Sequence, residues 1–169
     1  MPVSIQGSDN IGDLGDALNA KLTPSYGYFG YTLAVTIAAG TGVTIPFNTT
    51  YMSSGISLSG NAFTFTNAGV YALDWGCRPG TASDVWTVVD LYNSTEGIVG
   101  RSFGFGTAGS EVGARTAHFM AEVTNTSVSY NLRITRSSSM AIIEPAETQP
   151  EPDYPEVIPS IGLSVWRVG

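Results

Sequence analysis

The residues from which this chain could build reactive chemistry are few: one histidine, His118, one cysteine, Cys77, and fourteen carboxylates among 169 residues. A single histidine excludes a multi-histidine metal site within one subunit. Asp74 and Cys77 flank Trp75-Gly76, which sets an acid near a nucleophile. No base lies within sequence reach, and the aromatic neighbours point to packing, so Cys77 reads as a buried structural thiol. Asp84, Asp90, Glu96 and Glu111 fall near strand ends. Paired carboxylates can hydrolyse a glycosidic bond, but nothing in the spacing brings two of these together, and they read as solvated charges. Gly104-Phe105-Gly106-Thr107-Ala108-Gly109 fits the Gly-x-Gly-x-x-Gly pattern that cradles dinucleotide phosphates. That mechanism needs a helix N-terminus directly after the glycines, whereas Arg115 to Val123 continues with strand alternation. The expectation is a hairpin tip, with Gly104, Phe105, Gly106 and Thr107 free to touch a receptor. No residue is expected to be catalytic.

Two further features are more ambiguous. Tyr26, Tyr28, Phe29 and Tyr31 form an aromatic patch that could stack on a sugar or pack at the base of an assembly, and packing is the reading taken. Asn48, Asn93 and Asn125 begin Asn-x-Ser/Thr triplets, which a chain this rich in Ser and Thr produces by chance; they are read as loop chemistry.

The elements that must position these groups follow from composition and period. With 43% apolar residues the chain can bury a core as one domain without disulfides or metal. A single cysteine gives no internal disulfide, and no secretory signal pattern opens the sequence. No apolar run reaches the length of a membrane span, so no membrane insertion is expected. Seven basic residues against fourteen acidic ones, with no basic cluster, argue against nucleic acid. Ile11, Leu14, Leu18 and Leu22 recur at spacings of three and four, predicting a short helical stem within residues 1–25. Gly12 and Gly15 make that helix marginal alone, so it must borrow order from a larger assembly or fold back on its own domain.

From Tyr28 onward the period is two, and residues 26–169 are read as the head. Tyr31, Leu33, Val35 and Ile37 alternate with polar or small residues, as do Val128, Tyr130, Leu132 and Ile134. Between them Val43 to Phe47, Ile56 to Leu58, Phe63 to Thr66, Val70 to Cys77, Val85 to Tyr92, Ile98 to Phe105 and Thr116 to Val123 read as strands, and Ile161 to Val168 as a central or closing strand. Many short strands at such spacing predict an all-β antiparallel sandwich or barrel. An acidic excursion at 144–159 carries five prolines and favours an extended path.

Gly60-Asn61-Ala62-Phe63-Thr64-Phe65-Thr66-Asn67-Ala68-Gly69-Val70-Tyr71-Ala72-Leu73 reads as Phe-x-Phe, turn, Gly-x-Tyr-x-Leu. This resembles the signature of tumour-necrosis-factor-like and complement-q-like globular heads, with Gly42 to Asn48 similar to the preceding strand and Ser160 to Val168 to the terminal one. The resemblance covers roughly residues 28 to 168. It implies a jelly-roll sandwich that associates as a homotrimer; the seam of Ile11, Leu14, Leu18 and Leu22, read from its spacing, is then the trimer's stem, and Tyr28, Tyr31, Phe63, Phe65, Tyr71 and Trp75 are expected as trimer or core aromatics. No acidic cluster maps onto the calcium ligands that some members use, so no metal and no cofactor is expected.

Three copies of His118 could then meet on an axis, although an ordinary half-exposed strand residue is the simpler account. Alternation sets it with Thr116, Met120 and Glu122. Within that superfamily the chain looks most like a bacteriophage fibre, spike or tail-needle knob: assembled in the host cytoplasm, carried on the virion, and binding a host-surface glycan or protein receptor and other virion proteins. The alternatives are a carbohydrate-binding or carbohydrate-active sandwich and a spore-surface glycoprotein head.

Overall fold

The computed structural model describes residues 24–77, 85–107, 115–137, 140–142 and 159–168. The predicted stem residues Ile11, Leu14, Leu18 and Leu22, and all but the last residue of the proline-rich excursion, lie outside this set. The described residues contain fourteen strands: β1 Tyr26–Tyr31, β2 Val35–Ile37, β3 Gly40–Thr44, β4 Thr49–Ser54, β5 Ile56–Ser59, β6 Ala62–Phe65, β7 Gly69–Cys77, β8 Val85–Asn93, β9 Gly97–Arg101, β10 Phe105–Thr107, β11 Arg115–Val123, β12 Tyr130–Arg136, β13 Met140–Ile142 and β14 Ile161–Arg167.

Twelve of them run in one antiparallel sheet, in the order β4-β1-β14-β7-β11-β9-β8-β12-β6-β5, with β10 beside β8 and β3 beside β12. The sheet turns back on itself to form a sandwich. Phe29 of β1 meets Phe63 of β6 at 5.0 Å between ring centroids, and Phe65 of β6 meets Tyr71 of β7 at 4.7 Å, both edge to face. Rings from the two halves therefore share one core. Strict alternation builds it: Tyr71, Leu73, Trp75 and Cys77 of β7, and Tyr130, Leu132 and Ile134 of β12, are all buried. Each such apolar side chain taken from water contributes about 1.5–3 kcal/mol. The halves join where β11 touches β9 at Ala121 and Gly100. A Cβ on Gly100 would lie 2.5 Å from both the Ala121 Cβ and the Met120 carbonyl oxygen, so only glycine lets these strands meet.

The hairpin within the Phe-x-Phe motif forms as expected. Ser59 pairs with Ala62 across a two-residue turn, with Gly60 at φ +59°, a backbone setting that glycine adopts without strain. Several strand expectations are corrected. The strand read from Tyr31 to Ile37 is broken, because side chains take over its ladder bonds at Thr32 to Ala34. Asn48 Oδ1 accepts from the Thr32 N–H at 3.2 Å, and Ser160 Oγ lies 2.8 Å from the carbonyls of Tyr31 and Leu33. Leu33 ends up exposed. Val43 to Phe47 stops being a strand at Thr44, ahead of Pro46, although Ile45 still donates to the Leu132 carbonyl at 2.9 Å and Ile45 and Phe47 are core residues. Ile98 to Phe105 divides into β9 and β10 at Ser102, whose hydroxyl accepts from the Val89 N–H. Strands β4 and β13 were not expected.

Candidate functional site

The layer β4-β1-β14-β7-β11 buries one face and presents the other outward. Register fixes what the outer face carries. One row across the strands reads Tyr26, Trp166, Ala72, Met120; the next reads Tyr28, Ser164, Asp74, His118; the third reads Gly30, Gly162, Gly76, Thr116. Tyr26, Trp166 and Met120 are 39%, 40% and 57% exposed, and Met52 of β4, opposite Tyr28, is also exposed. Tyr28 stacks on Tyr51 at 4.9 Å and 26°. A Cβ on Gly30 would meet the Tyr51 ring at 2.7 Å, so the ring lies directly over that glycine. The face thus carries two aromatic rings and a methionine in one row and a polar pair at its centre, and in the third row glycines stand on three strands, the first of them covered by Tyr51. Lone exposed apolar residues are ordinary, whereas several in register on one face make a contiguous apolar patch, the kind of surface at which proteins associate.

The polar centre is a contact between His118 Nδ1 and Asp74 Oδ1, both substantially exposed. Alternation placed His118 correctly with Thr116, Met120 and Glu122, opposite buried Ala117, Phe119, Ala121 and Val123. Asp74 does not converge with Cys77: the thiol faces the core, as expected, and the carboxylate faces out.

The remaining predicted residues divide. Phe63, Phe65, Tyr71 and Trp75 are core, not surface, whereas Tyr28 belongs to the outer face and Tyr31 packs half-buried against the core. Phe105, Gly106 and Thr107 are not a free tip: they pair with Thr87, Trp86 and Val85 as β10. Gly104 is exposed beneath Trp86, whose indole would lie 2.2 Å from a Cβ there. Trp86, 60% exposed, and Phe103, 95% exposed, make a second aromatic patch on the other layer. Neither was singled out from sequence, nor were Trp166 and Met52. For Trp166 a signal existed, since alternation from Leu163 and Val165 turns it outward.

Asp90 overturns the expectation of a solvated charge. It is fully buried, accepting from Arg133 Nε at 3.1 Å and Arg101 Nη2 at 3.3 Å. Glu96 is exposed and accepts from Thr124 Oγ1, from Asn93 Nδ2 at 2.7 Å and from the Tyr130 hydroxyl at 3.2 Å. The Thr124 and Asn93 bonds hold its carboxyl below the ordinary glutamate value. Burial, reinforced by Glu96, pushes the Tyr130 phenol up. Among the described residues no three of His, Cys, Asp and Glu gather as a metal set, and no helix is long and apolar enough to cross a membrane.

No protein-family model matches the sequence, and no curated protein matches it. Solved structures do. Murine APRIL at pH 5.0 superposes with a TM-score of 0.56 at 9% identity, covering 86% of this chain and 99% of that one. Eiger TNF from S. frugiperda gives 0.52 at 10% identity, covering 87% and 94%. PRD1 vertex protein P5 gives 0.46 at 13% identity, covering 87% and 99%. The first two show a shared fold, the sandwich of a tumour-necrosis-factor head, and nothing finer.

Proposed function

We propose that the chain is the head of a homotrimeric virion fibre or spike, which serves host-surface attachment or virion assembly and performs no catalysis. The observation that carries this reading is the outer face of β4-β1-β14-β7-β11. Tyr26, Tyr28, Trp166, Met52 and Met120 lie together on one outward face of the sheet. The chemistry suits burial against a second and third copy: aromatic and methionine side chains are enriched in interface cores, and charge here is confined to Asp74, His118 and Glu122. The shared fold with Eiger TNF agrees with such a head. A helical seam read from Ile11, Leu14, Leu18 and Leu22 ahead of the head favours a fibre or spike on a virion, with a spore surface as the alternative location.

Light scattering coupled to size-exclusion chromatography tests it. The expected mass is about three times 17.7 kDa; a monomer at micromolar concentration removes the support for a trimeric knob. A second reading, a carbohydrate-binding sandwich, is favoured by exposed Trp86 lying over Gly104 next to Phe103, since flat aromatic faces stack on sugars. A monomer that retains bacterial polysaccharide would select this second reading.

A further inference from the structure

Arg136 ends β12 pointing into the sandwich. Tyr130, Leu132 and Ile134 face the core along the same strand, alternation sets Arg136 with them, and only 4% of its surface is exposed. Its register neighbour in β8 is Thr87, 1% exposed, which shares the core-facing side with Val89 and Leu91. Among the described residues no group pairs with Arg136 Nε, Nη1 or Nη2, nor with Thr87 Oγ1. Asp90, the one buried carboxylate among the described residues, lies on the other face of β8 and is held by Arg101 and Arg133. Burial lowers the guanidinium's pKa from its usual value, and Cys77, at the end of β7 in the opposite layer, acts in the other direction. Arginine nonetheless stays charged at any pH the protein meets. A buried charge with no carboxylate against it is among the costliest features a fold can hold; among the described residues Arg136 has none, and the Thr87 hydroxyl, its register neighbour, is likewise unpaired.

We propose that Arg136 and Thr87 form a buried binding site for one small oxyanion taken from solution, at the end of the sandwich where β12 and β7 finish and β8 begins. The planar guanidinium offers two parallel N–H donors that match two oxygens of a phosphate or carboxylate group, and the Thr87 hydroxyl offers a third. Occupation supplies the missing counter-charge and satisfies both side chains at once. The site stands independently of the trimer, because every residue in it faces the interior of a single head.

The test uses the full chain, dialysed free of phosphate and sulfate, with ionic strength fixed by sodium chloride. Inorganic phosphate is titrated by calorimetry and in thermal melts, with sulfate and formate in parallel. Saturable binding of one phosphate per chain is expected, with melting raised by about 5–10 °C at a hundredfold excess over Kd. Arg136→Met should abolish both effects. Should that variant fail to fold, Thr87→Val keeps the guanidinium and should weaken phosphate about tenfold through the lost hydrogen bond. Wild-type protein whose melting is flat in all three anions overturns the site, as when a carboxylate of the chain already faces the guanidinium. So does phosphate binding that survives unchanged in whichever variants fold, since the anion would then sit elsewhere.

Discussion

Asp90 shows how much a single side chain can depend on partners distant in sequence. Its carboxylate is fully buried, with Arg133 Nε on one oxygen and Arg101 Nη2 on the other. Arg133 is itself fixed, with its guanidinium carbon 3.5 Å from the centroid of the Tyr92 ring and close against Gly42, where a Cβ would come within 2.9 Å. Removing one partner of a buried pair leaves the other's charge uncompensated, at about 3–5 kcal/mol. Arg101 is half in water and can return to it, so Asp90→Ala should cost about 3 kcal/mol, the low end of that range. Urea unfolding checks this; a loss under about 0.5 kcal/mol would restore the solvated reading.

Glu96 gives the pH counterpart. Its folded pKa is depressed by the Thr124 and Asn93 bonds, so its contribution is fully present above the ordinary glutamate value and is lost as pH falls through the folded one. Glu96→Gln should therefore melt below wild type at neutral pH, and the two melting curves should converge in acid below the ordinary carboxylate range. A gap that stays constant with pH would mean that the carboxylate's charge contributes nothing.

At the scale of elements, what the sequence discloses is the period. Strands β7, β11 and β12 each keep seven or more residues in strict alternation, so their faces are legible before any coordinates, down to His118 pointing outward. The Gly60-Asn61 turn is legible for the same reason, because its conformational demand is local. The breaks are not. Thr32 to Ala34 leave the sheet because Ser160, 127 residues beyond Leu33, supplies hydrogen bonds that no local pattern announces. Strand β4, Thr-Thr-Tyr-Met-Ser-Ser, lies at a sheet edge and buries none of its residues fully, so its sequence carries no apolar alternation. The candidate site falls on the unreadable side of this divide. Alternation alone turns Trp166 outward, but only the register between β1, β14, β7 and β11 sets it in line with Tyr26 and Met120, and register is a property of pairs of strands.

At the scale of the whole molecule, the outer face and the Trp86 and Phe103 patch compete as explanations of exposed apolar surface, and charge substitution separates them. Trp166 stands between Tyr26 and Ala72 in the aromatic row. If three such faces meet, Trp166→Glu puts three carboxylates into one apolar seam, where desolvation and mutual repulsion each oppose closure. Scattering mass should then fall from about three times 17.7 kDa to 17.7 kDa, while circular dichroism of the single head stays that of a β-sandwich. Melting of wild type should rise with protein concentration, because association stabilises only the folded chain, and melting of the variant should not. Phe103→Glu is the control: at 95% exposure on the opposite layer it alters solubility and leaves mass unchanged. The outcome that sinks the seam is a Trp166→Glu head as heavy as wild type, for then the face carrying Tyr26, Trp166 and Met120 meets solvent in the assembly and some other surface holds the copies together.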